Sequence, residues 1–344
     1  MKTMNIPENW SDLYLTVDDI TLVCPSLRLE LFIQWAEGAE VLGFYRHARE
    51  ALGDALTHVD TGSGNWKKIT AKTDPMITTW CEHPVPWPKK IYFCKFQGAA
   101  EGVTPACLNI DFVMRPYEEP TVEMLEQWSG PNFYPDLRHS RLTIALPMDN
   151  PLSEPERFIA WIMELQALKV CRHVWGTAGY SIDRAWDCDG LDSEAGDRVA
   201  ALLARYPGLD LPELWTNVGI FTKCDREYLE CLQKAEGKPY LKRANWLNFL
   251  TEGQVTFLGG VDKLREALAP WPTIRLQELT HGLMIQAVDA PALGDMSVGH
   301  IPSEYAAVAK AVARIRVPEI DPNTMGSEWF DNEGGEQWLN ILEH

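Results

Sequence analysis

The residues able to do chemistry are spread thinly along this chain. Its eight histidines stand isolated, and no His-x-x-x-His pair occurs. Cys171-Arg172-His173 sets two donors two positions apart, a spacing that does not share a helix face. Gly179-Tyr180-Ser181-Ile182-Asp183 fails the Gly-x-Ser-x-Gly pattern of a nucleophile elbow at its last position. Gly62-Ser63-Gly64 lacks both the third glycine of a dinucleotide loop and the lysine of a phosphate loop. The stretch Asp187-Cys188-Asp189-Gly190-Leu191-Asp192-Ser193-Glu194 crowds hard oxygen donors that suit calcium, but it departs from the EF-hand order. It reads as an acidic loop, either solvated or binding a partner. No Cys-x-x-Cys occurs among the eight cysteines, so reduced thiols in the cytoplasm are the simplest expectation. Among 49 acidic residues any two can meet in space and form a glycosidase-like pair, yet nothing local selects them. The chain is therefore expected not to be an enzyme and to carry no metal or cofactor. A hydrolase with a spatially assembled carboxylate site stands as the alternative.

Charge says more than motifs do. Lys and Arg total 31 against 49 Asp and Glu, a net of −18. Binding nucleic acid through its phosphates needs the opposite sign, and an anionic membrane surface is disfavoured for the same reason. A basic partner is favoured, because complementary fields speed encounter. The charge is uneven. Asp183, Asp187, Asp189, Asp192, Glu194 and Asp197 form the densest run, offset only by Arg184 before Arg198. After Arg316 no basic side chain remains except His344, while Glu319, Asp321, Glu328, Asp331, Glu333, Glu336 and Glu343 all lie there. Fourteen tryptophans accompany this charge. Trp is favoured at interfaces and is also common in cores. No run of ~18 apolar residues suits a membrane span, and Met1–Trp10 lacks the apolar run of a secretory signal.

The elements that would position these residues mix strands and helices irregularly. Leu27 to Gln34, Ile91 to Phe96, Leu108 to Met114 and Arg141 to Leu146 read as strands. A helix is expected over 38–56, weakened by Gly43 and Gly53. Ser153-Glu154-Pro155-Glu156 reads as a capping box opening a helix through Lys169 that buries Phe158, Ile162 and Leu165. Gly176 to Ser181 reads as a turn, 183–194 as a loop, and the following residues as a helix to Tyr206. Asp225 can cap a further helix burying Tyr228, Leu229 and Leu232. Gly259-Gly260 frees the chain to turn into a helix at 261–268, and Ile274 to Ala287 alternates as a β-hairpin about Thr280-His281-Gly282. Pro302 starts a helix burying Tyr305, Val308, Ala309, Val312 and Ile315. The regular alternation of a doubly wound fold is missing. The pattern predicts an α+β fold, antiparallel sheets with packed helices, in one body or two lobes. The two-lobe division is 1–135, an N-terminal α+β lobe; 136–318, a C-terminal α+β lobe; and 319–344, an acidic extension.

The segment from Leu214 to Ala313 resembles a type VI secretion immunity family whose partners carry VRR-type nuclease domains. The features run in order: Leu214-Trp215 leading into Val218 to Thr222, then Asn245-Trp246-Leu247-Asn248-Phe249-Leu250, Leu258-Gly259-Gly260, and Gly282-Leu283-Met284-Ile285-Gln286-Ala287. Pro291-Ala292-Leu293-Gly294-Asp295 follows, and Pro302 with Tyr305, Val308 and Ala309 closes the match. A weaker echo spans Arg141 to Ile182. The resemblance implies a cytoplasmic protein that neutralises a nuclease effector by direct binding, without catalysis. It also implies that the repeated Trp, Gly and Gly-Asp positions are fold determinants rather than contact residues.

Resemblance and charge together predict an acidic surface that enters the basic, DNA-shaped groove of an effector toxin and competes with phosphate for its Lys and Arg. The expected contact residues are Trp186 beside Asp183, Asp187, Asp189, Asp192 and Glu194, with Trp329, Asp331, Glu333 and Trp338 in the tail. Monomer and homodimer are both open. An assembly component of the secretion system is a third reading, marked by higher self-association without toxin affinity.

Overall fold

The computed structural model describes residues 10–18, 20–34, 38–62, 65–85, 92–98, 108–114, 139–184, 192–211, 241–316, 338 and 341–342. In chain order the strands are β1 (Leu15–Val17), β2 (Ile20–Gln34), β3 (His58–Asp60), β4 (Lys67–Lys68), β5 (Tyr92–Gln97), β6 (Asn109–Met114) and β7 (His139–Leu146). They continue with β8 (Val174–Arg184), β9 (Leu247–Thr251), β10 (Arg275–Leu279) and β11 (Gly282–Gln286). The helices are α1 (Gly38–Leu52), α2 (Thr73–Glu82), α3 (Pro155–Met163), α4 (Gln166–Val170), α5 (Asp192–Arg205), α6 (Glu252–Phe257), α7 (Val261–Leu268) and α8 (Ser303–Ala311).

All these strands join one sheet in the order β10-β11-β9-β8-β2-β7-β6-β5-β3-β4, with β1 added to β2. Every ladder is antiparallel. The α+β class with antiparallel sheet is therefore observed. β2 is the central strand and the longest. Leu27, Leu29 and Leu31 lie opposite Leu146, Ile144 and Leu142 of β7 on one side, and opposite Tyr180, Ala178 and Gly176 of β8 on the other. Alternate residues point to opposite faces, so these leucines make one apolar face, all fully buried. α1 covers that face farther along. The Tyr45 ring lies 5.0 Å from Phe96 of β5 and 6.3 Å from Phe112 of β6. β7, from beyond residue 135, pairs with both β2 and β6 from before it. These ladders span the expected lobe boundary.

Several local expectations change. The helix after Ser153 is capped by Glu154, whose carboxylate accepts from the Glu156 and Arg157 amides. Ser153 instead donates to the Pro147 carbonyl. The helix breaks at Leu165 into α3 and α4, and it still buries Phe158, Ile162 and Leu165. Gly176 to Ser181 is not a turn but the middle of β8. A Cβ at Gly176 would stand 2.0 Å from the Glu30 carbonyl, and one at Gly179 would stand 1.9 Å from Asn245 Oδ1. The glycines there let neighbouring chain approach closely; they do not reverse the backbone. Asp225 and its expected helix lie outside the described residues.

The last third follows the sequence reading closely. α7 occupies 261–268 after the left-handed Gly259 and Gly260. β10 and β11 form the hairpin, and α8 buries Tyr305, Val308 and Ala309. Trp246 is fully buried, stacks at 6.4 Å on Phe158, and donates its indole N–H to the Val288 carbonyl at 2.8 Å. Thr251 and Gln254 complete a capping box at α6.

Candidate partner-binding surface

The acidic segment grows out of the far end of β8, and its root is internal. Asp183 stands on the face of β8 opposite the apolar one, together with Arg28 of β2, and the two side chains form an ion pair. Both are buried. Arg28 reaches along the sheet because residues four apart on paired strands share a face. The same face carries Glu30, which accepts from Lys242 Nζ at 3.2 Å, and Lys242 also lies 2.9 Å from Asp210 Oδ2. Arg141 of β7 lies 3.9 Å from the other Glu30 oxygen. Three cations thus face three carboxylates where β2, β7 and β8 meet the segments around 210 and 242.

Those segments are fixed by backbone hydrogen bonds. The Asp210 amide donates to the Tyr180 carbonyl at 2.8 Å, and the Ile182 amide donates to the Asp210 carbonyl at 3.2 Å. Ser181 Oγ donates to the same carbonyl at 3.1 Å. Arg243 donates to the Leu209 carbonyl at 3.2 Å and to the Pro207 carbonyl. Burial pushes the Arg243 pKa down to about 10, which still leaves it charged at neutral pH. The Trp338 ring covers its guanidinium at 4.6 Å, and the Trp338 indole N–H donates to Leu209 at 3.4 Å.

Two of the residues expected to touch a partner are therefore placed differently. Asp183 and Trp338 are buried, at 6% and 1% exposure, and make internal contacts with Arg28 and Arg243. At both positions the fold supplies the partner: a neighbouring strand gives the cation for Asp183, and a buried arginine gives the seat for the Trp338 ring. Asp192 and Glu194 fall in the first turn of α5. Trp186, Asp187, Asp189, Trp329, Asp331 and Glu333 lie outside the described residues. Cys24 is disulfide-bonded, with its partner outside the described residues, whereas Cys81, Cys94 and Cys171 remain thiols. The expectation of uniformly reduced thiols is corrected at Cys24.

Sequence reasoning missed the polar sheet face altogether. Its only signal was the alternation of Arg28 and Glu30 with Leu27, Leu29 and Leu31, which equally describes a solvated face. It also missed Arg205 at the end of α5. Its guanidinium grips Asp295 with two nitrogens, at 3.0 and 3.2 Å, and meets Asp12 at 3.2 Å. Among the described residues no group of three or more His, Cys, Asp and Glu is placed to hold a metal ion, and no helix is long and apolar enough to cross a membrane.

A family model described as type VI immunity for VRR-NUC (TsiV) matches residues 119–341. The chain belongs to the TsiV family. It is accordingly a type VI secretion immunity protein, and the TsiV match includes the acidic segment, β8 to β11 and the Arg243–Trp338 contact. A solved Pseudomonas aeruginosa type VI secretion system protein is similar in fold. That likeness has a TM-score of 0.68 at 16% identity, covering 96% of this chain and 87% of the other. The shared fold therefore includes strands that precede the TsiV match. No curated protein matches the sequence.

Proposed function

We propose that this TsiV-family chain neutralises a VRR-nuclease effector by occupying its DNA-facing surface, acting as a stoichiometric inhibitor without catalysis. The observation that carries the proposal is the family match on a chain of net charge −18. A DNA-binding groove is cationic, and an acidic protein competes there with phosphate. The contact set is Trp186, Asp187 and Asp189 in the segment between β8 and α5, Asp192 and Glu194 at the start of α5, and Trp329, Asp331 and Glu333 in the acidic tail. Asp183 and Trp338 serve as the internal anchors of these two segments.

Electrostatic attraction of this kind acts mostly on association, and it weakens with salt. A variant carrying Asp187→Asn, Asp189→Asn and Asp192→Ser is expected to associate with the purified effector at least about tenfold more slowly at low salt, with a shallower salt slope. An unchanged association rate and slope would remove the segment from the mechanism. Dissociation is expected to rest on buried aromatic anchors, so Trp186→Ala should shorten the lifetime of the complex.

The site of action is proposed to be the cytoplasm, where the DNA is. The Cys24 disulfide favours a second reading, an oxidising compartment, because disulfides persist there and are rare in the cytosol. Fractionation of the native strain, with thiol labelling before lysis, separates the two.

A further inference from the structure

The two ends of the sheet are built differently. β4 is two residues long, and both are exposed lysines. A short, charged edge of that kind turns away another strand. β10, at the opposite end, is five residues long, holds no Lys or Pro, and pairs with β11 in unbroken register. Its two charges do not guard it, because each is held by a neighbour. Arg275 lies 2.6 Å from Asp289, and Glu278 lies 3.7 Å from Arg265 of α7.

Which backbone groups stand open follows from the pairing. Antiparallel partners alternate between pairs that exchange hydrogen bonds and pairs that do not. The Ala287 amide donates to the Trp246 carbonyl at 2.8 Å, so the odd-numbered residues of β11 bond toward β9 and the even-numbered ones toward β10. Gly282, Met284 and Gln286 stand opposite Leu279, Gln277 and Arg275, which therefore use their N–H and C=O groups on β11. Leu276 and Glu278 aim theirs outward, and no described strand lies on that side. Glu278 is exposed and Leu276 is half-buried.

We infer that β10 pairs antiparallel with β10 of a second copy of this chain, joining the two sheets across a two-fold axis at Gln277. An open strand edge is completed by another strand, and β10 matches its own outward groups in one register. There Leu276 faces the partner's Glu278 and Glu278 faces the partner's Leu276, which gives four main-chain hydrogen bonds. Centring the axis on Glu278 would set two carboxylates opposite each other. Centring it on Leu276 would need the Ile274 amide, which already donates to the Trp271 carbonyl at 3.0 Å. At the axis itself the two Gln277 side chains meet in a close, non-hydrogen-bonded pair.

Charge favours a copy over a basic effector at this edge. The charges on β10 are matched in place by Asp289 and Arg265, so a cationic groove gains little there. A chain of net charge −18 repels its own copy least where its charges are paired. A five-residue edge is small beside the ~1,600 Å² of a standard interface. The dimer is accordingly weak, with a dissociation constant in the micromolar range. The inference needs no effector and stands apart from the nuclease reading.

Sedimentation velocity of the full chain over a concentration series tests it. The mass should rise from that of one chain to that of two, and added salt should strengthen the association by screening self-repulsion. Glu278→Pro deletes one outward N–H and no bond to β11. Gln277→Lys sets two ammonium groups against each other at the axis. Each is expected to weaken dimerisation at least about tenfold, with circular dichroism showing that the fold is kept. A chain that stays monomeric at its highest concentration, or a dimer that both variants leave intact, would overturn the inference. So would a monomer whose binding to the purified effector is weakened by Glu278→Pro, since β10 would then take a strand of the effector.

Discussion

Removing Lys242 should unfold the centre of this protein more effectively than removing a comparable apolar side chain. Its ammonium is 4% exposed and stands between Glu30 and Asp210, at 3% and 8%. It also donates to the Leu211 carbonyl at 2.9 Å. Lys242→Met keeps the length of the stem and deletes the charge. Two buried carboxylates then lose their shared cation, and Arg141, 3.9 Å from Glu30, is left to serve one of them. Deleting one partner of a buried ion pair costs about 3–5 kcal/mol, because the remaining charge stays desolvated. That is a large share of the ~5–15 kcal/mol that holds a typical domain. Urea unfolding followed by tryptophan fluorescence reads it directly, since Trp246 and Trp338 are both buried in the same region. The triple variant Lys242→Met/Glu30→Gln/Asp210→Asn should recover at least about half the loss, because it removes the orphaned charges. A loss below about 1 kcal/mol in the single variant, or no recovery in the triple, would refute the view that Lys242 neutralises this face.

Gly176→Ala should cost about 3 kcal/mol or more, or abolish soluble expression, because its φ of +151° and a Cβ 2.0 Å from the Glu30 carbonyl both oppose a side chain; thermal melting checks this. The Arg205–Asp295 bridge lowers the aspartate pKa below its ordinary 3.8. Its contribution is therefore complete above that value and is lost as the pH falls toward the depressed one. Asp295→Asn should accordingly flatten the acid limb of the stability–pH curve and leave its shape above pH 5 unchanged, a comparison for melting temperatures across pH. Burial pushes the Cys81 thiol up to about 12, so native Cys81 should resist iodoacetamide at pH 8 while half-buried Cys171 reacts, as peptide mass spectrometry will show.

Much of the fold could be read from local pattern. The Gly259-Gly260 entry into α7, the β10–β11 hairpin and the buried face of α8 all stand where periodicity and turn chemistry put them. These elements need no distant partner to declare themselves. β8 was the opposite case. Gly176 and Gly179 resemble a turn in isolation, and only the approach of β2 and Asn245 explains why small residues sit in a central strand. The capping at Ser153 failed for a smaller reason: Glu154 competed for the same amides one residue later.

The candidate surface divided along the same line. Composition and charge determined that the chain is strongly anionic and that two segments are rich in acids with few basic residues between them, because those are properties of residue counts and order. That Asp183 is neutralised inside the fold was decided by the tertiary structure. Arg28 is 155 positions from Asp183, and Arg243 is 95 positions from Trp338 by their residue numbers; no local window holds either pair. The same holds at Arg205, which joins residues 12 and 295. A charge is solvated or neutralised according to what the folded chain brings within a few ångströms of it, and that proximity is created by strand pairing rather than by neighbours in sequence.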